Sequence, residues 1–197
     1  MIDTHKTGEF RYEVSDIRDQ DEAGFGITPS QTVGPYVHIG LTREGSEIIA
    51  PEGTADTVDV TFTVLDGNGD PVADAMIEIW QTGPDGTYNT EEAEGFRGLG
   101  RGMCDDTGSV TFTTVLPGAA GEEAPHLKVG VFARGMLERL YTRLYFPAND
   151  NSADPVLQLV DAPRRDLLLA EPVDGGFRKT IVMQHEDPEK ETPFFRV

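Results

Sequence analysis

Apolar and polar residues alternate along Thr57-Val58-Asp59-Val60-Thr61-Phe62-Thr63-Val64. A period of two places Val58, Val60, Phe62 and Val64 on one face of a strand. The same reading predicts strands over Met76–Trp80, with Met76, Glu78 and Trp80 on one side, and over Ser109–Thr114, His126–Phe132, Leu140–Phe146 and Phe177–Met183. Asp66-Gly67-Asn68-Gly69-Asp70-Pro71 and Asp105-Asp106-Thr107-Gly108 are strong turn signals between them. Residues 154–160 (DPVLQLV) alone read as a helix, with Asp154 as N-cap and Pro155 at the first helical position. Short strands with dense turns predict an all-β domain, a β-sandwich or closed barrel with few short helices, over residues 27–197. Ahead of it, residues 1–26 are polar, lack a sustained period and read as an N-terminal arm. The string TPSQTVGPY at 28–36, with two prolines and a glycine, reads as an extended loop with fixed turns.

A length of 197 residues suits one such domain, and a net charge of −19 sets nucleic acid and anionic lipid aside as partners. Neither an apolar run near 18 residues nor a signal-peptide core follows Met1, so the expectation is a cytoplasmic protein. Cys104 is the single cysteine, which excludes an internal disulfide and a zinc site built on thiolates. Twelve arginines stand against four lysines. Genome bias accounts for that skew, and so does a need for planar, bidentate donors to a carboxylate; both readings stay open.

Metal sites without thiolates need histidine, carboxylate or tyrosinate. His5 lies in the arm and His185 beside an acidic tail, so both read as solvated. His38 alternates with Val37 and Ile39 and reads as a packed strand histidine. His126 opens a strand after a loop rich in glycine and proline, a place where ligands are presented. No HxH or HExxH pair, GxSxG elbow, GxGxxG turn or P-loop occurs. Residue by residue, the chain is an acidic β domain without a complete catalytic set.

Three stretches together resemble the intradiol ring-cleavage dioxygenase family: TPSQTVGPY at 28–36, VADAMIEIWQTGPDGTY at 72–88, and VLPG with APHLKVGVFARG between 115 and 135. The resemblance spans about residues 27–185 and implies that family's β fold. Its enzymes hold Fe(III) through two tyrosinates and two histidines, hard anionic and imidazole donors that favour the ferric state. By the same resemblance, Tyr88 and His126 match one ligand of each kind. Ala120 stands where the second tyrosine belongs and Lys128 where the second histidine belongs, while Glu123 and Arg143 replace an arginine and a glutamine of the family pattern. A lysine binds metal only after losing its proton. The pattern is that of a metal-free chain retained beside an iron-bearing beta subunit in a higher-order hetero-oligomer. The cofactor would then be Fe(III) bound by that partner, the catalytic and metal residues of this chain would be none, and the substrate would be a small aromatic acid with adjacent hydroxyls. The substrate-binding residues implied here are Thr32, Gly34, Pro35, Tyr36 and Arg134. A metal-free scaffold of the same fold and a stand-alone metalloenzyme using Tyr88 and His126 are the alternatives. The arm and the tail Thr192–Val197 (TPFFRV) are expected to reach onto partners, since two adjacent phenylalanines at a free end would otherwise be idle.

Overall fold

The computed structural model describes residues 31–32, 34–89 and 96–196; the arm expected over 1–26 lies outside them. Alternation does what it should in β1 (Thr57–Leu65): Val60, Phe62 and Val64 are buried, and the threonines between them are partly open. The remaining strands are β2 (Met76–Trp80), β3 (Leu99–Met103), β4 (Ser109–Val115), β5 (His126–Phe132), β6 (Leu140–Tyr145), β7 (Glu171–Val173) and β8 (Gly176–Val182). They form two four-stranded sheets, ordered β4-β1-β8-β7 and β3-β2-β5-β6. All pairings are antiparallel except β1 with β8.

The inner faces of the two sheets share one core. Phe62 and Phe112 meet edge to face at 5.9 Å, packed in one cluster with Ile77, Ile79, Leu127 and Leu144. Burying each such side chain stabilises the fold by about 1.5–3 kcal/mol, which makes this a sandwich held mainly by apolar contact. One inward position carries a charge. Lys179 pairs with Phe62 in register, between Phe177 and Ile181, and its ammonium has the Leu169 carbonyl at 3.3 Å as acceptor.

Several expectations need correction. Strand β3 (LGRGM) carries two glycines in five residues, which hides it from propensity. Both are required: a Cβ on Gly100 would lie 2.6 Å from Ile49 Cγ1, and one on Gly102 would lie 2.5 Å from Val110 Cγ2. The helix expected at 154–160 is one 3-10 turn, Leu157–Leu159. Asp154 does cap it, accepting the Val156 and Leu157 amides at 2.9 and 2.8 Å, but Val160 is extended and stops the turn. A second 3-10 helix, Ala162–Leu168, follows. His38 is not a packed strand residue: it is exposed in a π-helical turn, Val37–Leu41. The Pro35 carbonyl accepts the His38 and Ile39 amides, so the loop coils at Tyr36 rather than running on extended.

The tail packs on its own chain. Edge strand β6 would present unpaired backbone groups, and the tail covers part of that edge. Phe195 N–H donates to the Tyr141 carbonyl at 2.7 Å, and Thr142 Oγ1 donates to the Pro193 carbonyl at 2.7 Å. Phe194 packs on the main core and Phe195 on a second cluster of Ala124, Tyr145, Leu157, Val160 and Leu168. No helix among the described residues is long and apolar enough to cross a membrane.

Candidate functional site

Because Ile79, Leu127, Val129 and Leu144 face the core, the residues alternating with them define the outer face of the second sheet. Register there runs from Trp80 to Lys128 to Arg143 across β2, β5 and β6. The Lys128 ammonium lies 4.6 Å from the centre of the Tyr88 ring and 5.3 Å from Trp80, and those two rings are 5.0 Å apart. Such contacts contribute about 0.5–2 kcal/mol each. The turn leading to Tyr88 is clamped to the loop leading to Ala120: Thr82 Oγ1 donates to the Gly118 carbonyl at 2.8 Å, and Gly118 N–H to the Gly83 carbonyl at 2.9 Å. A Cβ on Gly118 would lie 2.4 Å from the Pro84 oxygen, so only glycine permits this approach.

His126 is 4% exposed. Its Nδ1 is 2.7 Å from the Ala124 carbonyl, so it carries the proton there, and its Nε2 has no hydrogen-bond partner. Burial holds this imidazole below its ordinary pKa, opposed by the Ala124 hydrogen bond. Arg143, also buried, donates to Glu123 Oε1 at 2.9 Å and to the Tyr145 hydroxyl at 3.4 Å, with Asp154 Oδ2 at 3.9 Å. Tyr145 in turn donates to Asp154 Oδ1 at 2.9 Å. Burial pushes the Tyr145 phenol up, against the nearby Arg143 charge.

These residues do not fit Fe(III) held by two phenolates and two imidazoles. An ammonium caps the ring of Tyr88, Ala120 offers no side-chain donor, and the position two beyond His126 is the lysine itself. Among the described residues, no group of three or more histidine, cysteine, aspartate or glutamate side chains is placed to hold a metal ion. Cys104 is buried, and its thiol is pushed up to about 12 by that burial and by Asp105 and Asp74, which leaves it inert.

The other candidate residues lie elsewhere. Thr32 Oγ1 accepts the Gly135 amide hydrogen at 2.7 Å, which pins Thr32 against the residue that follows Arg134. Gly34 and Pro35 are exposed, Tyr36 is 77% exposed, and the Arg134 side chain is 78% exposed. This cluster follows the Phe132 end of β5, whereas Tyr88 and Lys128 lie at its His126 end. Missed from the sequence was the counter-ion: Arg134 Nε donates to Asp74 Oδ2 at 2.5 Å. Partial burial works to raise the Asp74 carboxyl, but the Arg134 hydrogen bond and charge outweigh it and hold it below the usual range. The available signal was position: Asp74 lies just before β2 and Arg134 just after its register neighbour β5. The Glu123–Arg143–Asp154 network was also missed as a unit, because it joins a loop, a strand and a turn.

The family described as Dioxygenase matches residues 34–179. The chain is 40% identical to the protocatechuate 3,4-dioxygenase alpha chain of Pseudomonas putida, over 85% of this chain and 95% of that one. It is 31% identical to the protocatechuate 3,4-dioxygenase beta chain of Burkholderia cepacia, over 78% of this chain and 69% of that one. Among solved structures, the intradiol ring-cleavage dioxygenase from Tetranychus urticae shares the fold, with a TM-score of 0.55 at 16% identity over 70% of this chain and 84% of that one. Two packed sheets, the retained motifs and a match over most of the chain agree: the chain belongs to the intradiol ring-cleavage dioxygenase family.

Proposed function

We propose that this chain is the metal-free subunit of a protocatechuate 3,4-dioxygenase, completing the pocket of an Fe(III)-bearing beta subunit in a cytoplasmic hetero-oligomer. The reaction inserts both atoms of O2 between the two hydroxylated ring carbons, converting protocatechuate to 3-carboxy-cis,cis-muconate. The iron, which would bind the catecholate, belongs to the partner in this reading. The chain's own contribution is a wall and a charge: Tyr36, Gly34 and Pro35 shape the surface, Thr32 fixes it, and Arg134 meets the substrate carboxylate. A guanidinium suits that role because it stays charged and can donate two hydrogen bonds to one carboxylate. In a chain of net charge −19, a local cation is also needed to offset the mean field against an anionic substrate.

One observation carries the reading: at a position where the family places a histidine ligand, Lys128 has its ammonium 4.6 Å above the ring of Tyr88. The test is metal analysis of the chain purified alone and co-expressed with an iron-bearing beta partner. Alone, it should be colourless, hold no stoichiometric iron and lack ring-cleaving activity; the complex should show tyrosinate-to-iron absorption and turn over. One iron per isolated chain with catechol cleavage would overturn the proposal. A complex whose activity is indifferent to Arg134 and Tyr36 would leave the chain a scaffold.

A further inference from the structure

An arginine stands near each end of the loop joining β5 to β6, Arg134 at the start and Arg139 at the finish. Both reach a carboxylate of one neighbouring segment. Arg134 Nε donates to Asp74 just ahead of β2, and Arg139 donates through one terminal nitrogen to Glu78 Oε1, within β2, at 3.0 Å. The carboxylates are four residues apart and the guanidiniums five, so the loop is fastened at both feet to the same stretch of chain.

The second fastening crosses a whole strand. Gly130 of β5 stands in register between Glu78 of β2 and Tyr141 of β6. Arg139 passes over that glycine: a Cβ there would lie 3.0 Å from Arg139 Cδ and 3.6 Å from Glu78 Cβ. On the far side, Arg101 of β3 holds the other oxygen of Glu78, with Nε at 2.8 Å and a terminal nitrogen at 2.7 Å. Glu78 is therefore fixed before Arg139 reaches it. Ion pairs with a half-open partner add little to stability, so what this one decides is geometry. The loop has a soft point for it to restrain, since Gly135, next to Arg134, takes a positive φ of 84°.

We propose that Glu78 and Arg139 are positioning residues for Arg134: they anchor the far foot of the β5–β6 loop, so that the Arg134 guanidinium is presented in one orientation. The inference rests on the reading of Arg134 as the contact for the substrate carboxylate. It adds that the contact is set by two residues that do not themselves touch the substrate. A guanidinium that donates two hydrogen bonds to one carboxylate is sensitive to orientation, which makes a distant anchor consequential.

Arg139→Met keeps the stem over Gly130 and removes the charge, while Arg139→Lys keeps a donor for the single bond to Glu78. In the full chain, amide hydrogen exchange over residues 134–138 should quicken in Arg139→Met and in Glu78→Ala, and stay at the parent rate in Arg139→Lys. In the complex with an iron-bearing beta subunit, Arg139→Met should raise KM for protocatechuate by about threefold or more, with kcat and the KM for catechol unchanged. Added to Arg134→Ala, it should cost nothing further. Parent exchange rates in Arg139→Met, an equal rise for catechol, or losses that add to those of Arg134→Ala would each overturn the proposal. A parent KM in Arg139→Met beside a raised KM in Arg134→Ala would sink this inference alone. A parent KM in both would sink it together with the substrate role of Arg134.

Discussion

Thr32 accepts the amide hydrogen of Gly135 through its hydroxyl at 2.7 Å, tying the Gly34-Pro35-Tyr36 loop to the residue that follows Arg134. A net hydrogen bond of this kind contributes about 0.5–1.5 kcal/mol. Thr32→Val in the assembled enzyme should therefore raise KM for protocatechuate by a few-fold and leave the Tm of the chain nearly unchanged. Thr32→Ser should restore the parent value. A serine variant as impaired as valine would assign the effect to the threonine methyl.

Asp74 already holds Arg134 Nε, so in the proposed role a substrate carboxylate would have a competitor for the guanidinium. Arg134→Ala should raise KM for protocatechuate by about tenfold or more, the worth of a charged hydrogen bond. Plain catechol, which lacks the carboxylate, should lose far less. Asp74→Asn should lower KM for protocatechuate by releasing the guanidinium. If Asp74→Asn raises KM instead, the carboxylate positions Arg134 rather than competing for it. The pair itself adds little stability, since the Arg134 side chain is 78% exposed.

Truncation after Glu191 removes the Phe195–Tyr141 and Pro193–Thr142 hydrogen bonds together with the packing of two phenylalanines. We expect a loss of at least about 3 kcal/mol in urea unfolding. The uncovered edge of β6 should also increase aggregation. A truncated chain that unfolds at the parent midpoint would show that the tail contributes no stability.

His126 is neutral in the fold and held below its ordinary 6.5 by burial. Between that depressed value and 6.5 the unfolded chain binds more protons than the native one, so native stability falls as pH drops below about 6.5. Above 6.5 both states are neutral and the residue adds no pH dependence. Urea midpoints measured from pH 7.5 down to 5 should decline, and His126→Gln should flatten that decline. An identical slope in the variant would assign the acid sensitivity to other groups.

Lys179 is an inward lysine whose amine burial pulls down to about 8. The unfolded chain keeps its proton to about 10.5, so the penalty of burying the charge is fully present below pH 8 and is relieved as pH rises from 8 to 10.5. Lys179→Met should stabilise the chain at pH 7 by roughly 2–3 kcal/mol, with the gain shrinking through that window. A destabilised methionine variant would mean that the Leu169 hydrogen bond outweighs the desolvation.

Alternation was enough to find β1, β2, β4, β5, β6 and β8, because each carries β-branched or aromatic residues at period two. It failed at β3, where close approach of Ile49 and Val110 demands glycine, and at three-residue β7. It also did not single out Lys179 as an inward charge between Phe177 and Ile181. Among the candidate residues, Thr32, Gly34, Pro35, Tyr36 and Arg134 came from the family resemblance, whereas the Asp74 counter-ion did not. Counter-ions are chosen by register across strands, and register is absent from the linear string.

The one parallel pairing, β1 with β8, makes the order of synthesis matter. β1 sits inside its sheet between β4 and β8, and its Asp59 waits for Gly176 near the end of the chain. A nascent chain still holding its last strand in the ribosome has a sheet with a vacant central seam. Contacts this distant in sequence also slow closure. The chain should thus reach its native state only once β8 has emerged, and any partner should find an unfinished surface until then. Protease protection of stalled nascent chains should appear abruptly once β8 has emerged, rather than strand by strand.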